Sequence, residues 1–266
     1  SNKKDYILDI LPLNNQIVAL VYENSEPKLK SIEQGDKNWR ELEVQLGIGD
    51  YQLISTDNAS NSLVFSFSSP SRPYRSYRYN FTSTQIDSVF DVQSVSPKYH
   101  AYTSTQRMWA KSHDGTKIPI TIVKSRNPRT TNAGVILKVY GAYGAITTPD
   151  FNFRDAILLE QGYTIAYAHV RGESILGRSW YQAGRRLQKQ LDLTSTGLIG
   201  YGNSAGGLIV AQAINLKSEL FHTVVLDHPY LDVVNTMMND TLPLTIDEYK
   251  EWGNPNDKAV YDYILG

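Results

Sequence analysis

The sequence contains no cysteine. That excludes disulfides and thiolate metal sites. It leaves the compartment open between cytosol and periplasm, with the cytoplasm the first expectation and the periplasm the alternative. There is no apolar run of about 18 residues, so no stretch reads as a membrane span, and no secretory signal is expected at the start. Charge of one sign is not in excess: 26 Lys and Arg against 27 Asp and Glu leave a net charge of −1. The chain therefore has no electrostatic push toward nucleic acid or an anionic membrane. Metal-ligand clusters and phosphate-cradling glycine loops are missing as well, so no cofactor and no metal are expected. Phenylalanine is scarce, 7 residues against 18 tyrosines, and tyrosine suits half-buried strands and polar-edged sites.

What is present divides into two grammars. Residues 1–96 read as strands and turns. "QIVALVY" (16–22) is a β-branched run, "SLVFSFS" (62–68) alternates as a half-buried strand does, and "YRSYRYNF" (74–81) alternates Tyr with Arg. Clusters such as "ENSEPK", "STDNASN" and "SSPSRP" separate them. At roughly 40–45 residues per four-stranded blade, this is about two blades of a β-propeller. After residue 97 strands alternate with helices. "KIPITIV" (117–123), "GVILKVY" (134–140), "YTIAYAHV" (163–170), "GLIGY" (197–201) and "TVVLDH" (223–228) read as strands. "FRDAILLEQG" (153–162) reads as a helix stopped by Gly, and residues 204–220 as a second one. Such alternation predicts an α/β fold, a mostly parallel sheet with helices on both faces. Between His169 and Leu198 a packed crossover helix is due. Trp180, Leu187 and Leu191 offer it one short face, interrupted by Gly184.

The stretch "GYGNSAGGLIV" (200–210) carries G-x-S-x-G. With 18 glycines, chance alone produces that spacing in about one such chain in ten, so its context must decide. A buried strand precedes Ser204 and a helix follows it, as a strained nucleophile turn requires. Gly202 and Gly206 allow strand and helix to approach closely. The Ala205 N–H at the helix start is the expected oxyanion donor. The bland reading is a glycine-rich strand-to-helix turn without chemistry. A nucleophilic serine also needs a base. Of His100, His113, His169, His222 and His228, only the last two follow Ser204, as the order Ser, acid, His of such hydrolases requires. Neither has an acid in the expected place, and both read as structural.

From about residue 97 onward the chain resembles the prolyl oligopeptidase family of serine peptidases, and within it the oligopeptidase B branch. The matching text includes "RMWAKSHDGTKIPITIV", "VYGAYGA", "GYTIAYAHVRGESILGRSWYQAGR", "GYGNSAGGL", "ELFHTVVLDHPYLDVVNTMM" and "PLTIDEYKEWGNPND". Residues 1–96 resemble the last blades of that family's propeller. The resemblance implies an α/β-hydrolase domain, here 97–266, with Ser204 as nucleophile and the Ala205 N–H and Tyr140 hydroxyl as the oxyanion hole. It puts Tyr143 in the wall of the primary pocket. It also implies short peptides as substrates and a preference for Arg or Lys before the cleaved bond, carried by paired acids. Glu248 and Asp150 keep one acid of each pair, while Lys250 and Thr148 stand at the others. Two further departures are expected. The chain stops before the stretch that would match the family's catalytic Asp and His, which makes it inactive by itself. About 20 residues of helix after "RRLQK" are also missing, in the crossover where a packed helix is due. Two other readings stay open: a different α/β-hydrolase such as an esterase or dipeptidyl peptidase, and a non-catalytic scaffold.

Overall fold

A computed structural model describes residues 5–54, 61–91, 103–112, 114–126, 133–185 and 198–265. The chain divides into two compact units. One comprises residues 1–106, 122–133 and 148–165, and the other residues 107–121, 134–147 and 166–266.

The first unit holds two four-stranded antiparallel meanders. Strands β1 (Tyr6–Pro12), β2 (Gln16–Glu23), β3 (Glu26–Glu33) and β4 (Arg40–Glu41) pair in chain order. So do β5 (Asp50–Ile54), β6 (Ser62–Ser69), β7 (Arg72–Asn80) and β8 (Ile86–Asp91). These are the two expected blades. The β2–β3 hairpin turns on Asn24 and Ser25, at φ 51° and 74°. Two left-handed residues in a two-residue turn match the twist of the flanking strands. Val18, Leu20, Leu29, Leu63, Phe65, Phe67, Tyr77 and Tyr79 share one buried cluster. The Tyr–Arg alternation of β7 holds in its second half, where Tyr77 and Tyr79 are buried and Arg78 is exposed.

Strand β6 departs from its expected half-burial, because all eight of its residues are buried. Its serine face is covered by a later part of the same unit. Ser68 Oγ accepts from the Phe151 N–H at 2.9 Å and donates to the Arg72 carbonyl at 3.0 Å. Hydroxyls can line a covered face when each finds partners.

Strands β9 (Thr103–Lys111), β10 (Lys117–Ser125), β11 (Val135–Val139), β12 (Thr164–Ala168), β13 (Leu198–Asn203) and β14 (Phe221–Asp227) form a six-stranded sheet in the order β14-β13-β11-β12-β10-β9. Helix α1 (Phe153–Glu160) joins β11 to β12. Asn152 caps it, its Oδ1 accepting from the N–H groups of Arg154 and Asp155, and Gly162 follows it at φ 91°. Helix α2 (Arg178–Gln182) is short, and α3 (Ala205–Leu216) ends four residues before the sequence pattern predicts, giving way to a 3-10 turn at Ser218–Leu220. Helices α4 (Val233–Met238), α5 (Thr245–Trp252) and α6 (Lys258–Leu265) come after β14. Of the expected crossover face, Trp180 lies in α2, and its indole N–H donates to the carbonyls of His169 and Val170. Leu187 and Leu191 lie outside the described residues, as does most of the segment around the expected deletion. Gly184 serves a close approach, since a Cβ there would stand 2.2 Å from the Gly172 nitrogen.

β11 and β13 run parallel, Val139 beside Gly202. From β11 the chain goes on to β12 on one side, while β13 flanks it on the other. Such a reversal of strand order opens a crevice beyond the carboxyl ends of the two strands, where open α/β sheets bind ligands. Tyr140 follows β11 and Ser204 follows β13 at this point.

Candidate active site

Ser204 links β13 to α3 at φ 50° and ψ −121°. L-residues seldom occupy this region, and strain of this kind concentrates at functional turns. The backbone is fixed on both sides. The Ser204 N–H donates to the Asp227 carbonyl at 3.1 Å, and its own carbonyl accepts from the Tyr230 N–H at 3.0 Å and the Gly207 N–H at 2.9 Å. The glycines are there for clearance. A Cβ on Gly202 would meet the Gly206 carbonyl oxygen at 2.3 Å, one on Gly206 the Val139 oxygen at 2.2 Å, and one on Gly207 Cβ of Pro229 at 2.5 Å. Ala205 is buried at the start of α3.

The Ser204 side chain lies close enough to the Tyr140 hydroxyl to act on its titration. Burial, with the charge of Glu248 behind it, raises the Tyr140 pKa, so the phenol stays a protonated donor. The turn then runs through Gly141 at φ 63° and Tyr143 at φ 58°. Ala142 packs with Ala205, Val233, Met237 and Trp252 in one buried cluster, with Tyr140, Tyr230 and Tyr249 against it. Turn, elbow and helices α4 and α5 thus share a small core.

Helix α5 supplies the rest. The Tyr143 hydroxyl donates to Glu248 Oε2 at 2.6 Å. The Trp252 indole N–H reaches the same oxygen at 2.9 Å and the Tyr143 hydroxyl oxygen at 2.8 Å. The rings of Tyr143 and Trp252 meet edge to face at 6.2 Å, and those of Tyr230 and Trp252 lie 4.9 Å apart. Burial and the bond to Glu248 push the Tyr143 pKa up, and burial first of all takes Tyr230 to about 12. Tyr143 still presents 41% of its surface to solvent.

Five of the six singled-out residues, Ser204, Ala205, Tyr140, Tyr143 and Glu248, therefore lie in the second unit around one turn and one helix. Asp150 belongs to the first unit, where its charge acts on Tyr74 of β7. Lys250 is exposed, and its carbonyl accepts from the Arg185 guanidinium. Sequence reasoning passed over Trp252 and Glu251. They occupy α5 at i+4 and i+3 from Glu248, so helical spacing was the signal available.

The described histidines are engaged elsewhere. His169 is fully buried, with Nε2 2.8 Å from Thr121 Oγ1 and Nδ1 3.1 Å from Glu173 Oε2. Burial lowers its pKa against the opposing pull of Glu173, which keeps the ring neutral. His222 Nδ1 lies 3.2 Å from the hydroxyl of its neighbour Thr223. His228 differs from expectation in having an acid beside it. A left-handed backbone at φ 46° turns its Nδ1 to 2.6 Å from Asp227 Oδ1, yet its side chain is 93% exposed. Bonds from Tyr201 first, then His228, lower the Asp227 pKa. His100 and His113 lie outside the described residues.

The sequence profile described as the prolyl oligopeptidase family matches residues 149–265. The chain is 36% identical over 228 residues to dipeptidyl aminopeptidase BI of Pseudoxanthomonas mexicana, covering 79% of this chain and 31% of that protein. It is 28% identical to protease 2 of Moraxella lacunata, covering 99% of this chain and 40% of that one. Among solved structures, oligopeptidase B of Trypanosoma brucei with covalently bound antipain superposes with a TM-score of 0.84 at 27% identity, over 99% of this chain and 41% of that one. The chain spans about a third of the length of the first curated relatives it matches. By sequence and by fold alike, the chain belongs to the prolyl oligopeptidase family.

Proposed function

We propose that this chain carries the nucleophile half of a serine peptidase acting on short peptides by acyl transfer. The observation that carries the reading is the strained Ser204 elbow, set beside the turn of Tyr140 at the reversal of strand order. Ser204 Oγ would attack the peptide carbonyl, and the Tyr140 hydroxyl and Ala205 N–H would hold the oxyanion. Loss of the amine leaves an acyl-serine for water to hydrolyse. Glu248, at the hydroxyl of Tyr143, supports a cationic residue before the cleaved bond. Lys250 opposes it by repulsion.

The serine proton needs an acceptor, and the three described histidines have other partners. Peptide turnover by this chain alone is therefore expected to be very slow. The test is a fluorophosphonate probe followed by arginyl, lysyl and phenylalanyl peptide amides, each with Ser204→Ala as control. Labelling confined to Ser204 supports the nucleophile. Wild-type labelling equal to that of Ser204→Ala refutes it, and fast saturable hydrolysis lost in Ser204→Ala refutes the missing base.

A further inference from the structure

We propose that Glu251 is a positioning residue for the pocket wall, acting through the backbone of Tyr143. The proposal rests on the peptidase reading above. Glu251 is 3% exposed, and a buried carboxylate persists only where donors surround it. It has three. Oε1 accepts from the Tyr143 N–H at 3.2 Å. Oε2 accepts from the Tyr181 hydroxyl at 2.9 Å and has Arg185 Nε at 3.4 Å. Arg185 is itself anchored on the Lys250 carbonyl. One carboxylate thus joins the turn after β11, the short helix α2 and helix α5, all within the second unit.

The geometry at Tyr143 gives this grip its purpose. A tyrosine at φ 58° sits in a region that L-residues leave unless something outweighs the strain. Glu248 and Trp252 hold the far end of the side chain at its hydroxyl. With that end alone fixed, the backbone could relax and swing the ring. Glu251 fixes the near end, at the amide. Glu248 and Glu251 are three residues apart on α5, so one helix face holds the tyrosine at both ends. The ring stays in place for a substrate side chain, and Tyr140 rides on the same turn.

Glu251→Ala and Glu251→Gln separate this role from simple stability. Gln keeps an acceptor for the Tyr143 N–H but turns a donor toward Arg185. Amide hydrogen exchange is read at Tyr143, with Leu137 and Val139 of β11 as internal controls. In Glu251→Ala the Tyr143 amide should exchange at least about tenfold faster, and in Glu251→Gln it should stay within about threefold of wild type. Equal acceleration in both variants, or none in Ala, overturns the proposal.

The second readout uses protein expressed from the full reading frame of the gene. Glu251→Ala should lower kcat/KM about tenfold for a peptide amide with a large side chain before the cleaved bond. It should leave an acetyl ester within about threefold, and Gln should restore the peptide rate. Equal losses on both substrates overturn it. If the wild type hydrolyses neither, the peptidase reading has failed and the exchange result alone decides on Glu251.

Discussion

The elbow at 202–207 and the turn at 140–144 each keep a non-glycine residue in the left-handed region, Ser204 at φ 50° and Tyr143 at φ 58°. They do so by opposite means. Around Ser204 the support is main chain: one carbonyl, two amides, and three glycines whose missing Cβ atoms let strand and helix close up. Around Tyr143 it is side chain, carboxylates and an indole from a helix more than a hundred residues further along. Main-chain support tolerates no extra atom but does not depend on charge. Side-chain support leaves room but fails when one polar group is removed.

That contrast can be tested. The largest effect is expected at the elbow. Gly206→Ala drives a Cβ to 2.2 Å from the Val139 carbonyl oxygen, and rigid backbone cannot give way, so urea unfolding should show a loss of about 3 kcal/mol or more. A loss under about 1 kcal/mol would mean that helix and strand are packed more loosely than the glycine implies. Ser204→Gly should move the other way. Removing the Cβ relieves the strained φ, and the unfolding free energy should rise by about 1–2 kcal/mol, with a higher urea midpoint, while probe labelling disappears. An unchanged midpoint would remove strain from the account of the elbow.

The smallest effect sharpens the side-chain half of the comparison. Glu173, fully buried, accepts from the Thr147 hydroxyl at 2.8 Å just beyond the turn and is paired with His169. Burial holds the His169 pKa below its ordinary 6.5. An unfolded chain then takes up a proton that the folded one refuses. Stability from this group is complete above about pH 6.5 and falls as pH drops, by at most about 1.4 kcal/mol per unit. Melting curves from pH 7 to 5 should show that slope, reduced in His169→Gln. The same slope in the variant would assign it to other groups.

The same contrast explains what could be read from the amino acids. The elbow was legible because its determinants lie within ten residues: strand, glycine, serine, glycines, helix. The hairpins of the first unit were legible for the same reason, through period-two runs and turn clusters. Strand β9 was not, because none of its residues is buried and no apolar alternation marks it. The closed serine face of β6 was missed because its cover arrives with Phe151. Glu251 stayed hidden because a buried glutamate on an amphipathic helix looks like any surface glutamate until its partners, Tyr143, Tyr181 and Arg185, are seen to converge.

One consequence is optical. Trp39 and Trp109 are largely exposed and Trp180 is half-buried, whereas Trp252 is buried with its indole N–H on Tyr143 and Glu248. Emission from Trp252 should therefore lie at the blue edge of the protein's spectrum, with the phenol of Tyr143 as its nearest reporter of events outside. A molecule that settles against Tyr143 and draws on Glu248 must disturb that indole. The proposed pocket wall would thus carry its own fluorophore, and Trp252→Phe is the blank against which occupancy would be read.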